Sequence, residues 1–315
     1  MKTLLMTTAA TLLAGSAFAQ SITVGAANIS DYLDPGRDHS NVGSQFYYNS
    51  FDTLIDRDHS KLEPEWVPAL ATEWKLVDDT TMELKLRRGV KFHNGEDMTA
   101  DDVVFSLNRM YQATFAPYVV RSKDRLANFA EAVKIDDYTV QIKVERPEPL
   151  WETLVSLQQV MIIPEDYTKA LSGDPEVAED GDFEAFSLTP VGTGPYAISE
   201  FVPGQKVVYS RFDGFWGERA PLEQATVIRI AEMASRITAL KTGEADIVTN
   251  IAPDQLDLIN ADPNLKTEGS ATALFHVMIM NVNHPKLRDP RIRQAMSLAI
   301  DRDTLNEALW LGKAF

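Results

Sequence analysis

Thr81-Met82-Glu83-Leu84-Lys85-Leu86-Arg87-Arg88-Gly89-Val90-Lys91-Phe92-His93-Asn94-Gly95-Glu96, followed after Asp97 and Met98 by Thr99-Ala100-Asp101-Asp102-Val103-Val104-Phe105-Ser106-Leu107, is the stretch on which the fold turns. Over Thr80–Arg87, Met82, Leu84 and Leu86 share one side of an extended chain. Thr81, Glu83, Lys85 and Arg87 take the other, so the pattern predicts a strand with one face buried. Val90–Glu96 then turns through Asn94-Gly95. Thr99 is a natural N-cap, and Asp102, three residues on, completes a start resembling a capping box. Val103, Leu107 and Met110 follow at i, i+4 and i+7, which predicts a helix over Ala100–Tyr111.

Toward the N-terminus, Ser21–Ala27 alternates and reads as a first strand. A turn-rich stretch, Asn28–Gly36, follows and is broken at Asp34-Pro35. Val42–Leu54 mixes apolar and aromatic residues and reads as helical; Leu62–Ala71, with Pro64 and Pro68, reads as a connector. Toward the C-terminus, Tyr138–Val144 is a second alternating strand and Trp151–Val160 a helix. Ser172–Gly181 is an acidic loop, and Ala197–Phe201 and Lys206–Tyr209 are strands joined at Pro203-Gly204. Thr226–Ile230 and Ala245–Thr249 are further strands. Between them Ala234–Thr242 is a helix that Gly243 can end in a left-handed cap. Pro253–Asn260 is a short helix, Leu274–Val282 an apolar strand, and Asp289-Pro290 opens a helix whose face carries Ile292, Ala295, Met296, Ala299 and Ile300. Strands and helices mix without regular alternation, which predicts a multi-lobed α and β protein rather than a barrel. The length of 315 residues is that of about two domains.

Lys2, the apolar run Leu4–Leu13 and Ala17-Phe18-Ala19 form an export leader with its cut expected between Ala19 and Gln20. The run is shorter than the ~20 residues a bilayer requires. The chain has no cysteine, so disulfides, thiolate metal sites and a cysteine nucleophile drop out, as does a lipidated cysteine anchor. The expected product is a soluble exported protein, and its lack of cysteine suits a bacterial periplasm. The formal charge is −16, one unit more negative once Lys2 leaves with the leader, which argues against nucleic acid as a partner.

Motifs for chemistry are absent. Gly192-Thr193-Gly194 has no Walker Lys-Ser/Thr, and Pro195 keeps its amides from opening a helix, so it reads as a structural turn. No Gly-x-Ser-x-Gly elbow occurs. His39, His59, His93, His276 and His284 show no zinc spacing. Asp101-Asp102 and Asp136-Asp137 are adjacent and diverge, unlike the facing pair of a glycosidase. Asp101-Asp102 suits a helix N-terminus and Asp136-Asp137 a turn. Trp66, Trp74, Trp151, Trp216 and Trp310 are dispersed and read as packing residues.

The ordered string from Pro68 to Leu107 resembles the dipeptide- and oligopeptide-binding proteins of ABC importers, solute-binding protein family 5. Leu33-Asp34-Pro35 is similar to the loop after that family's first strand. Val191-Gly192-Thr193-Gly194-Pro195-Tyr196, Phe212-Asp213-Gly214-Phe215-Trp216-Gly217, Leu240-Lys241-Thr242-Gly243-Glu244-Ala245-Asp246-Ile247 and Asp289-Pro290-Arg291-Ile292-Arg293-Gln294-Ala295 match further family segments in order. The resemblance runs from about residue 22 to the end.

It implies an α/β fold with mixed sheets, the type II clamp of periplasmic binding proteins. The clamp has two lobes with an extra subdomain, and the second lobe is incomplete because the chain stops short of the family's length. On this reading residues 1–19 are the leader, 20–48 and 186–271 a discontinuous first lobe, 49–185 an inserted subdomain and 272–315 the start of the second lobe. The lobes would close on a peptide by hinge motion. Ile29, Ser30, Asp31, Tyr32 and Phe275 are the expected ligand-contacting residues, the loop through its backbone and Tyr32 as a wall. The groups that hold peptide termini in relatives have no counterpart in this chain, and weak ligand binding and exposed apolar lobe surface are expected of it. No enzymatic activity, cofactor or metal is expected. The expected partners are a peptide or other small solute and the transmembrane subunits of an ABC permease, with an ATPase acting indirectly; the chain is expected to be a monomer and not inserted in a membrane. The same architecture could instead hold a nickel chelate, glutathione, an opine or an oligosaccharide. A secreted acidic hydrolase is the alternative of another class.

Overall fold

The computed structural model describes residues 21–37, 41–58, 60–61, 65–112, 126–157, 160–171, 183–269 and 277–312. The leader, His39, His59, Phe275, His276 and the acidic loop Ser172–Gly181 lie outside them.

The chain opens with β1 (Ser21–Ala26) and, after the 28–37 loop, α1 (Asn41–Tyr47). A hairpin, β2 (Ile55–Asp58) and β3 (Glu65–Pro68), leads into β4 (Ala71–Asp78) and β5 (Thr81–Leu86). Then come α2 (Ala100–Gln112), β6 (Phe129–Asp136), β7 (Thr139–Val144) and the short helices α3 (Trp151–Val155), α4 (Glu165–Leu171) and α5 (Phe183–Leu188). β8 (Tyr196–Val202), β9 (Lys206–Arg211), β10 (Gln224–Arg229), α6 (Met233–Thr242) and β11 (Ile247–Val248) follow, and α7 (Leu256–Asn260), α8 (Pro290–Leu298) and α9 (Arg302–Trp310) complete the order.

Two larger sheets result. One has the order β4-β5-β7-β6, antiparallel throughout, and draws only on residues 71–144. The other has the order β11-β1-β10-β9-β8 and draws on 21–26 and 196–248. In it β1 runs parallel to both β10 and β11, while β9 is antiparallel to its two neighbours.

The strand expected over Thr80–Arg87 is β5, with Met82, Leu84 and Leu86 buried. Leu84 stands opposite Val140 and Met82 opposite Ile142 of β7. α2 lies on this sheet through Val103, Leu107 and Met110, and its opposite side carries Phe105 into a second core with Leu33, Phe46, Tyr47, Phe51, Phe186, Val207 and Tyr209. One helix thus completes two interiors. At its N-terminus the amide of Thr99 donates to Asp102 Oδ2 at 2.8 Å, the expected capping box, and Asp102 Oδ1 accepts from the amide of Glu165 at 2.9 Å, docking α4. Asn108 closes the exposed edge of β6, its side-chain amide accepting from the N–H of Ala132 at 2.9 Å and donating to its carbonyl at 3.2 Å.

Four expectations need correction. The helix expected over Trp151–Val160 ends at Val155, where the Ser156 amide turns back to the Thr153 carbonyl at 3.3 Å and leaves the helical path. The helix expected over Val42–Leu54 ends at Tyr47, because the carbonyls of Asn49 and Ser50 accept from the amides of Tyr196 (3.0 Å) and Gly194 (3.0 Å) instead. The connector Leu62–Ala71 contains β3 and the first residue of β4; Pro68 is tolerated at the last position of a two-stranded ribbon. The strand expected over Leu274–Val282 is not formed by 277–282. No ladder partner pairs with that segment among the described residues, and Val277, Met278, Ile279 and Val282 are exposed.

Candidate functional site

β1, β10 and β11 run in one direction, so their carboxyl ends meet at one edge of the sheet. In open sheets with parallel strands, that edge is where ligands are held. The loop after β1 carries four of the residues singled out from sequence, and its geometry follows from a few bonds.

Ser30 is buried. Its hydroxyl donates to the carbonyl of Tyr32 at 2.7 Å and accepts from the Tyr32 amide at 3.2 Å, a tight local turn. The carbonyl of Ser30 accepts from the Gly204 amide at 3.1 Å, which ties the loop to the β8–β9 turn. Glycine is required at 204: its φ is +65°, and a Cβ there would meet Asp31 Oδ1 at 2.8 Å. Ile29 faces inward, into the second core, and is buried. Asp31 is exposed. Tyr32 is 36% exposed, with the Arg37 guanidinium 3.3 Å over its ring centroid. Ile29, Ser30, Asp31 and Tyr32 are therefore one turn of which Ile29 and Ser30 are buried and Asp31 and Tyr32 are the accessible parts; Phe275 lies outside the described residues.

Two buried cations hold this edge in place, and neither was singled out from sequence. Arg109 of α2 pairs with Asp34, whose other oxygen accepts from the Gly36 amide at 2.8 Å. Arg236 of α6 is 4% exposed and donates only to carbonyls: Nη1 to Ile230 (2.8 Å) and Ala231 (2.7 Å), Nε to Thr249 (3.1 Å) and Nη2 to Asn250 (3.0 Å). It stitches the segment leaving β10 to the segment leaving β11, where Asn250 holds a left-handed φ of 56°. Nothing in an isolated arginine at a helix start marks such a role; only the convergence of two distant chain segments creates it.

His93 fastens the two sheeted parts together. Its ring Nε2 and the Gly194 carbonyl are 2.9 Å apart, and its Nδ1 accepts from the Gly192 amide at 3.3 Å, which places the proton on Nε2. Burial pushes its pKa down to about 4. His93 is thus a neutral latch, sited in the turn expected over Val90–Glu96. Among the described residues no group of three His, Cys, Asp or Glu side chains could hold a metal ion. No described helix is long and apolar enough to cross a membrane.

In fold, the chain is similar to a periplasmic binding protein, DppA of Helicobacter pylori, solved in complex with the peptide STSA. The TM-score is 0.80 at 23% identity, covering 93% of this chain and 58% of that one. The architecture is that of the type II periplasmic binding proteins. Residues 65–315 match the profile described as "Bacterial extracellular solute-binding proteins, family 5 Middle", and the chain belongs to that family. It is 30% identical over 291 residues to the probable ABC transporter periplasmic-binding protein SapA of Escherichia coli (87% of this chain, 50% of that one), and 26% identical over 264 residues to the dipeptide-binding protein of the same organism (79% and 48%). The chain spans about half the length of these curated relatives.

Proposed function

We propose that this chain is a substrate-binding part of an ABC importer that captures di- or oligopeptides in the periplasm and delivers them to a membrane permease powered by a separate ATPase. Membership of solute-binding protein family 5 is the observation that carries the reading. The chain acts as a monomer, by closure on cargo rather than by catalysis. In this reading residues 20–48 and 186–271 form a first lobe, 49–185 an inserted subdomain and 272–315 the beginning of a second lobe. The separate origins of the two larger sheets support that division. Cargo lies against the edge where β1, β10 and β11 end, with the backbone at the exposed Asp31 offering hydrogen bonds in the manner of an added strand, the Tyr32 ring closing one side, and the buried Ile29 and Ser30 holding the turn from beneath.

Uptake tests this directly. Deleting the gene in its host should abolish accumulation of a labelled tripeptide, and a plasmid copy should restore it. Unchanged peptide uptake would overturn the peptide reading, and loss of nickel or glutathione uptake instead would replace the cargo while keeping the transport role.

A further inference from the structure

A cavity of about 260 Å³ lies away from the Ile29–Tyr32 loop and shares no residue with it. Its lining includes Tyr48, Asp52, Asp56, Pro195, Phe215 and Trp216. Asp52 is its chemical centre. Thr193 Oγ1 and Trp216 Nε1 both donate to Asp52 Oδ2, at 2.8 and 3.0 Å. Oδ1 has no hydrogen-bond partner among the described residues, and Asp52 lines the cavity. The two donors fix the carboxylate's orientation, leaving one oxygen with unused acceptor capacity. The surroundings favour a positive guest. Burial raises the Asp52 pKa and the nearby Asp56 carboxylate adds to the rise, against the lowering by Trp216, Thr193 and Arg87; a cation in the cavity offsets both, since Arg87 is stacked 4.4 Å over the Trp216 ring and spends its Nε on the Ala69 carbonyl at 2.9 Å. Phe215 and Trp216 pack with ring centroids 5.1 Å apart, and Tyr48, 58% exposed, stands at the rim. Aromatic walls around a fixed carboxylate bind ammonium groups by combined ion pairing and cation–π attraction. The volume is just below the ~300 Å³ at which pockets for drug-sized ligands begin, which suits a small amine and not a peptide chain.

We infer that this cavity binds a small organic primary ammonium ion, with Asp52 Oδ1 as its counter-ion and acceptor, Phe215 and Trp216 as its walls and Tyr48 at its rim. The site is independent of the cargo edge, so failure of peptide uptake would leave it untouched.

Benzylammonium is the test ligand, and benzyl alcohol its neutral counterpart. Both are titrated into the whole chain while the indole N–H resonance of Trp216, assigned by its loss in Trp216→Phe, is followed by NMR. Benzylammonium should shift that resonance saturably, and benzyl alcohol should not. Asp52→Asn should weaken binding at least tenfold. Should Asp52→Asn fail to fold, Tyr48→Ala and Asp56→Asn, both at exposed positions, should each weaken it severalfold. Absence of a saturable shift, equal affinity for the alcohol, or variants that bind like the parent would each overturn the inference.

Discussion

Asp34 and Arg109 stand 75 positions apart in the sequence and meet with almost no access to water. Removing one member of such a pair strands the other charge, at a cost of about 3–5 kcal/mol; removing both costs much less. Arg109→Met should therefore lower urea stability by about that amount, and Asp34→Asn combined with Arg109→Met should recover a large part of it. A double variant no more stable than the single one would refute the pairing. His93 makes a prediction about pH. Its native ring is neutral with a pKa near 4, while an unfolded histidine titrates near 6.5. The unfolded chain therefore takes up the proton first as pH falls. The contribution is whole above pH ~6.5, declines between ~6.5 and ~4, and is gone below; at 1.36 kcal/mol per pH unit its ceiling is roughly 3 kcal/mol. His93→Gln cannot titrate, and denaturation from pH 7 to 4 should show a shallower decline for it than for the parent.

At the scale of elements, the turn 192–194 packs tightly against the backbone at Asn49–Ser50. A Cβ on Gly192 would lie 2.1 Å from the Ser50 carbonyl oxygen, and one on Gly194 2.7 Å from the Ser50 carbonyl carbon. Neither backbone can yield cheaply, so Gly192→Ala should cost ~3 kcal/mol or more, seen as a lower midpoint in thermal unfolding; a midpoint matching the parent's would mean the contact is not made. The same contacts show what sequence could reveal. β5, β7, the α2 cap and the Gly243 terminus (φ 76°) were legible because each is written in consecutive residues. β4 was not: it is an edge strand with register shifts at both ends and leaves Leu76 and Val77 exposed, which blurs the two-residue period. β6 was missed for the same reason, with shifts near Phe129 and Asp136. Of the candidate site, the position of the loop was legible from Asp34-Pro35. The inward turn of Ile29 and the clamps Arg109 and Arg236 were not, since their partners are set only by tertiary folding.

For the whole molecule, order is uneven. The four-stranded sheet and α2 bury a large shared interior, whereas neither α8 nor α9 has a buried residue, and Ile292, Met296, Leu298, Leu305 and Leu309 are exposed. Hydrogen exchange follows such differences, because segments without buried contacts open at little cost. Amides over 290–310 should exchange orders of magnitude faster than those of β5 and β7; equal protection would mean the C-terminal helices are covered by something in solution.

The double allegiance of α2 has an engineering consequence. Phe105 leans one way, while Val103, Leu107 and Met110 lean the other. Residues 49–185 therefore cannot be lifted out as a cassette and the cut ends spliced: the graft would travel with a wedge belonging to its host, and the host would be left with a hole where Phe105 and Arg109 had been.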